Sequence, residues 1–121
     1  MIRRLPRLDD AARAGLRDAL DGYEAEFARQ IEAGIAQLWQ VDDGFLIVRI
    51  EHAADHAPEL VICALQGVAI DRVGPLLIEA GKRAGCGSIR MHTRRRGLGR
   101  MVRKFGMVLD EWVYSLRLCH G

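Results

Sequence analysis

Apolar residues recur at three- and four-residue steps through Leu8, Ala12, Leu16, Ala19, Tyr23, Phe27, Ile31 and Ile35, the period of one face of an α-helix. Asp9 or Asp10 stands where an N-cap side chain is wanted. Gly15, Gly22 and Gly34 interrupt the run, and a glycine inside a helix costs up to about 1 kcal/mol against alanine. The pattern therefore predicts a helical pair with its break near Asp21-Gly22. Ahead of it, Ile2 to Leu5 reads as a short edge strand closed by Pro6, which has no N–H to give a ladder.

The period then shortens. Leu38 to Val41 and Phe45 to Glu51 are strand-like runs on either side of Asp42-Asp43-Gly44, a tight-turn signal in which glycine accepts the positive φ that hairpins need. His52 to Pro58 reads as a looser loop, and Glu59 to Leu65 as an apolar, buried central strand. Together these predict a three-stranded antiparallel meander. Ile70, Val73, Leu76, Leu77, Ala80 and Ala84 restore the helical period, with Gly85 placed as a C-cap glycine and Pro75 marking the first turn or a kink. Ser88 to Thr93 alternates as a strand does, Gly97 to Phe105 fits a short helix stopped by Gly106, and Met107 to Leu118 returns to strand character.

The chain has 121 residues, half of them apolar and 28% charged, which suits one folded domain spanning 1–121 with a single core. No apolar stretch approaches the roughly 20 residues of a bilayer span, and the Met1-Ile-Arg-Arg-Leu-Pro-Arg start lacks the apolar region of a signal peptide. A cytoplasmic protein without a membrane partner is expected. The scattered Cys63, Cys86 and Cys119 fit neither a disulfide framework nor a zinc site. Net charge is only +2, but its distribution is uneven. Between Gly81 and Leu109 stand Lys82, Arg83, Arg90, Arg94, Arg95, Arg96, Arg100, Arg103 and Lys104, with no acid among them.

The element order β-α-α-β-β-β-α-β-α-β resembles that of the GNAT N-acetyltransferase superfamily. Ala80-Gly-Lys-Arg-Ala-Gly85-Cys-Gly-Ser-Ile89 looks like that family's helix end running into its fifth strand, and Met101-Val-Arg-Lys-Phe-Gly106-Met looks like its last helix. Arg95-Arg-Gly97-Leu-Gly-Arg100 and Gly106-Met107 also resemble a small group of GNAT-like proteins encoded by tailed phages. The resemblance implies an α/β fold, an α+β mixed central sheet flanked by helices. It further implies acetyl-CoA as cofactor, lined by Cys63, Ala64, Leu65 and Gly67.

In that family the fourth strand leads into a glycine-rich loop whose N–H groups hold the cofactor's pyrophosphate at a helix start. Gln66, Gly67 and Gly74 stand in the matching region without that spacing, and Asp71 would repel phosphate. The cofactor loop therefore reads as degenerate. Arg94-Arg-Arg-Gly97-Leu-Gly99 matches the loop's text but leaves too little chain after it for the family's remaining elements. Val102 stands where the family often has its tyrosine acid, so no catalytic residue is assigned. Glu51 and Glu59 occupy strands where a general base could lie, and on a surface strand are solvated charges. His52, Asp55 and His56 have helix-like metal spacing in a loop-like setting, and no metal site is assigned.

Arg94, Arg95, Arg96 and Arg100 form the better candidate, an anion-binding set at an expected helix start, where guanidinium groups and free N–H groups both favour phosphate or carboxylate. Few aromatics interleave with them, as single-strand nucleic-acid sites require. Three roles stay open: a non-catalytic protein that docks an anionic partner, protein or nucleic acid; an acetyl-CoA-dependent N-acetyltransferase; and a homo-oligomeric structural protein.

Overall fold

Alternating apolar side chains on the middle strands need cover on both faces of the sheet, and the chain supplies it with helices from two separate stretches. In the computed structural model, which describes residues 2–91, Ile2–Leu5 forms β1, followed by α1 (Asp10–Gly15), α2 (Arg17–Leu20) and α3 (Glu24–Glu32). Then come β2 (Ala36–Val41), β3 (Gly44–Ala53), β4 (His56–Gln66), α4 (Ile70–Arg83) and β5 (Ser88–Met91). The strands lie in the order β1-β2-β3-β4-β5. The first four are antiparallel neighbours, and β5 joins β4 in parallel, Glu59 opposite Ser88 and Ile62 opposite Met91.

One face packs Trp39, Val41, Leu46, Val48, Leu60, Ile62 and Leu65 against Ile70, Val73 and Leu77 of α4. The other packs Leu38, Phe45, Ile47 and Ala64 against Ala12, Leu16, Leu20 and Ile31 of the first three helices. Leu16, Leu38, Leu46 and Ile47 are wholly buried, so truncating any of them to alanine costs about 2–5 kcal/mol.

The helix ends follow the expected chemistry. Asp9 caps α1 by accepting from the Ala12 N–H at 2.9 Å, and the break falls at Asp21-Gly22, both with positive φ. A further interruption at Leu16 divides the first helix in two, because Leu16 takes a non-helical φ, ψ of −110° and 12°. Gly85 ends α4 at φ +76°: its N–H reaches the Lys82 carbonyl and the Cys86 N–H reaches the Gly81 carbonyl, the paired bonds of a Schellman motif. Pro75 lies in the second turn of α4, not the first, and has no N–H to give the Asp71 carbonyl. Burial of Val73 and Leu77 on either side holds the helix through that gap.

Two local expectations are corrected. The stretch from His52 to Pro58 is not a loose loop: β3 continues to Ala53 and β4 starts at His56, with a tight turn between them. In the β2–β3 turn the positive φ belongs to Asp42, at 53°, while Gly44 has ordinary backbone. Glycine is needed at 44 for room, because a Cβ there would run into the carbonyl of Gly67. Among the described residues, no helix is long and apolar enough to cross a membrane. Residues expected as the last helix and final strand lie outside the described residues.

These two glycines should respond differently to substitution. Gly85→Ala meets nothing within 4 Å and should cost only the left-handed backbone penalty of about 1–2 kcal/mol. Gly44→Ala must push backbone against backbone and should cost more, about 2–3 kcal/mol. Urea unfolding of both variants at equal m-values checks the ranking, and a milder Gly44→Ala would contradict the close packing described.

Candidate functional site

The end of β4 is where the chain departs most from an open ligand site. Gln66 closes the strand, only Gly67, Val68 and Ala69 intervene, and α4 begins at Ile70. Three neighbours converge on this short link. The Gln66 side-chain carbonyl accepts from the backbone N–H groups of Asp18 and Ala19, each at 3.0 Å, which satisfies orphan donors in the first turn of α2. Gly44 of the β2–β3 hairpin lies against Gly67, so that a Cβ on Gly67 would stand 3.3 Å from the Gly44 Cα. The Arg72 guanidinium in the first turn of α4 donates through Nε to Asp42 Oδ2 at 2.6 Å. That pairing, chiefly the Arg72 hydrogen bond, holds the Asp42 carboxyl below its usual range.

Just before this link, β4 carries a bulge. Ile47 pairs with Ala64 and Val48 with Ile62, which leaves Cys63 as an extra residue with no opposite number on β3. Successive Cys63 and Ala64 consequently both turn toward the core under α1–α3, while Ile62 and Leu65 turn toward α4. Of the four residues implied as cofactor contacts, Cys63 and Ala64 thus lie on one face, Leu65 is buried on the other, and Gly67 ends the strand at φ +72°. Burial pushes the Cys63 thiol above its ordinary value, so it is protonated and a poor nucleophile at neutral pH.

Beside the bulge a charged network crosses three strands. Arg90 of β5 pairs with Glu51 of β3 and, through Nη1 at 3.0 Å, with Glu59 of β4. Ser88 Oγ donates to Glu59 at 2.8 Å. Arg49 donates to Glu51 at 2.8 Å and reaches Gln30 of α3 at 3.3 Å. Bonding to Arg49 is the largest influence and keeps the Glu51 carboxyl below its ordinary value of 4.5; burial opposes it, and the nearby Arg90 and Arg49 charges add to the lowering. A general base works best with a pKa near the operating pH, so Glu51 is shifted the wrong way for that role.

His52 and His56 flank the β3–β4 turn on different strands, and His56 Nδ1 lies 2.9 Å from the Ala57 carbonyl. Arg94, Arg95, Arg96 and Arg100 lie outside the described residues, as do Val102 and the Arg95–Arg100 and Gly106-Met107 text of the phage resemblance. Arg72, the bonding of Gln66 to α2 and the pairing of Arg90 with Glu51 and Glu59 were not foreseen from sequence. The i, i+2 step from Arg49 to Glu51 on a strand does put both on one face, but their partners are distant in sequence.

Against solved structures, the chain matches glucosamine-6-phosphate N-acetyltransferase from Arabidopsis thaliana at TM-score 0.61 and 16% identity, covering 98% of each chain. It matches AAC(6')-Iy, in complex with a bisubstrate analog CoA-S-monomethyl-acetylneamine, at TM-score 0.66 and 13% identity, again over 98% of each. The fold is GNAT-like. A transcriptional regulator from Bacillus halodurans C-125 shares this GNAT-like fold at TM-score 0.67 and 15% identity, over 98% of this chain and 99% of that one. No protein-family model and no curated protein matches the sequence.

A GNAT-like chain implies acetyl-CoA, and the residues at the β4–α4 link do not fit its diphosphate. The link is three residues long with one glycine, Gly74 lies inside α4, and Asp71 and Asp42 put carboxylates around the helix start. Gln66 is bonded to α2, and the backbone over Gly67 is covered by Gly44.

Glu51 gives the network a pH signature. A carboxyl held below 4.5 stabilises the fold fully above that pH and loses the contribution as pH falls through its lower folded value. Glu51→Gln should therefore flatten the acid limb of stability, measured by urea unfolding from about pH 7 to about pH 3. An unchanged acid limb would mean that the pairing with Arg49 and Arg90 does not hold in solution.

Proposed function

We propose that this chain is a GNAT-like binding protein that engages an anionic partner through its basic segment and does not transfer acetyl groups from coenzyme A. The observation that carries the reading is the three-residue β4–α4 link, covered by Gly44 and edged by Asp42 and Asp71. A diphosphate needs several backbone N–H groups in the open at a helix start, and here neither space nor charge favours one. The segment from Gly81 to Leu109, with nine cations and no acid, is the complementary feature. Its local field attracts an anion even though the whole chain carries only +2.

The alternative, an acetyl-CoA-dependent N-acetyltransferase, is favoured by the acetyltransferases that share the fold and by the strand carboxylates Glu51 and Glu59 near the Cys63 bulge. Fold likeness alone does not assign chemistry. A homo-oligomeric role would rest on strands at the C-terminus, which lie outside the described residues; at the opposite edge β1 carries Arg3 and Arg4, charges that discourage strand pairing between copies there.

Calorimetry with acetyl-CoA should give no binding heat at millimolar ligand, and a thiol-release assay with amine acceptors no turnover. Binding to a polyglutamate chain or a duplex DNA should fall with salt, and Arg95→Glu with Arg96→Glu should weaken it about tenfold or more. Turnover of acetyl-CoA would establish the alternative instead. Binding unaffected by the double reversal would remove the basic segment from the interface.

A further inference from the structure

We infer that the β2–β3 turn is a stopper that keeps diphosphates off the start of α4, with Asp42 occupying the cation a phosphate would otherwise use. The inference rests on the reading that the chain does not use coenzyme A, and it names the part of the chain responsible.

Arg72 is the only cation in the first turn of α4, and its guanidinium faces Asp42 through both Nε at 2.6 Å and Nη2 at 3.4 Å. The two-residue turn Asp42-Asp43 is held in place by sheet register on both sides: Val41 pairs with Gly44, and Phe45 with Gln66. That register sets the Gly44 backbone on Gly67, so the turn cannot swing clear without breaking ladder pairs. Ala69, at the N-cap, makes no side-chain cap bond, and Asp71 in the first turn places a carboxylate beside the first N–H groups. An incoming diphosphate would meet the Asp42 and Asp71 carboxylates before any unengaged cation, with the hairpin backbone filling the space above Gly67. The stopper thus acts by charge at Asp42 and by shape at Gly44.

The charge component can be removed without touching the shape. In the 15N-labelled full chain, inorganic pyrophosphate and coenzyme A would each be titrated into wild type and Asp42→Asn while the amides of Gly67 to Arg72 and the Arg72 Nε signal are followed. Wild type should respond to neither probe. Asp42→Asn should respond to pyrophosphate at least about tenfold more tightly than wild type, since one like charge is removed and Arg72 is released. An Asp42→Asn chain no more responsive than wild type overturns the part given to Asp42 and leaves the non-acetylating reading intact. Coenzyme A shifting the wild-type Gly67 to Asp71 amides overturns both.

Discussion

The contact on which the rest of the structure depends is backbone against backbone: Gly44, at the start of β3, lies on Gly67, at the end of β4. Neither position tolerates a Cβ, one because it would strike a carbonyl and the other because it also needs φ +72°. The contact fixes how far β4 can run before it must turn into α4. With only three residues to make that turn, α4 starts at once under the sheet, and Ile70, Val73 and Leu77 land on Leu46, Leu60 and Leu65. The same short turn leaves no loop to wrap a ligand. Packing and the shortness of the link are therefore one constraint seen from two sides.

Polar bonding around the link follows from this. A strand that ends in Gln66 next to the first turn of α2 can offer its amide to the Asp18 and Ala19 N–H groups, which a four-residue helix has no other way to satisfy from within. Arg72, in the first turn of α4, is close enough to the β2–β3 turn to meet Asp42. Both exposed bonds are modest in energy, and their effect is orientation. They join α2, the hairpin and α4 to one short segment, so that the two helical layers on opposite faces of the sheet are fastened at the same corner. On the opposite side of the bulge, the Arg90, Glu51 and Glu59 network fastens β5 to β3 and β4 in a similar way. It lies only partly in water, with Glu59 the least exposed side chain of the three.

Much of the fold was legible because it rests on local signals. Periods of 3.6 and 2 separated helices from strands, Gly85 announced the end of α4, and Asp21-Gly22 the break between helices. What could not be read locally depends on residues far apart in sequence. Gly44 looked like a turn glycine and proved to be a packing glycine, because the atom that excludes a side chain belongs to residue 67. Gln66 looked like a remnant of a phosphate loop and is bonded to α2, 48 residues earlier. The bulge at Cys63 follows from a register slip between β3 and β4 that leaves no mark in β4's apolar run. Cys63, Ala64, Leu65 and Gly67 are consecutive or nearly so in sequence, yet pleat and bulge divide them between two cores and a strand end.

A GNAT-like fold therefore sets where a site would be but not what it would bind. The overall fold survives over chains only 13–16% identical, because it follows from apolar alternation and strand register, which many sequences can meet. A diphosphate site asks for something narrower: several residues of glycine-rich backbone, free N–H groups and little negative charge nearby. A three-residue link costs neither core anything, since Val68 and Ile70 pack with the α4 side of the sheet. Charge is distributed just as unevenly, since Gly81 to Leu109 carries nine of the chain's 18 lysines and arginines and no acid. Steric closure at Gly67 and the uneven charge of the chain are separate physical facts, and the proposed reading rests on both.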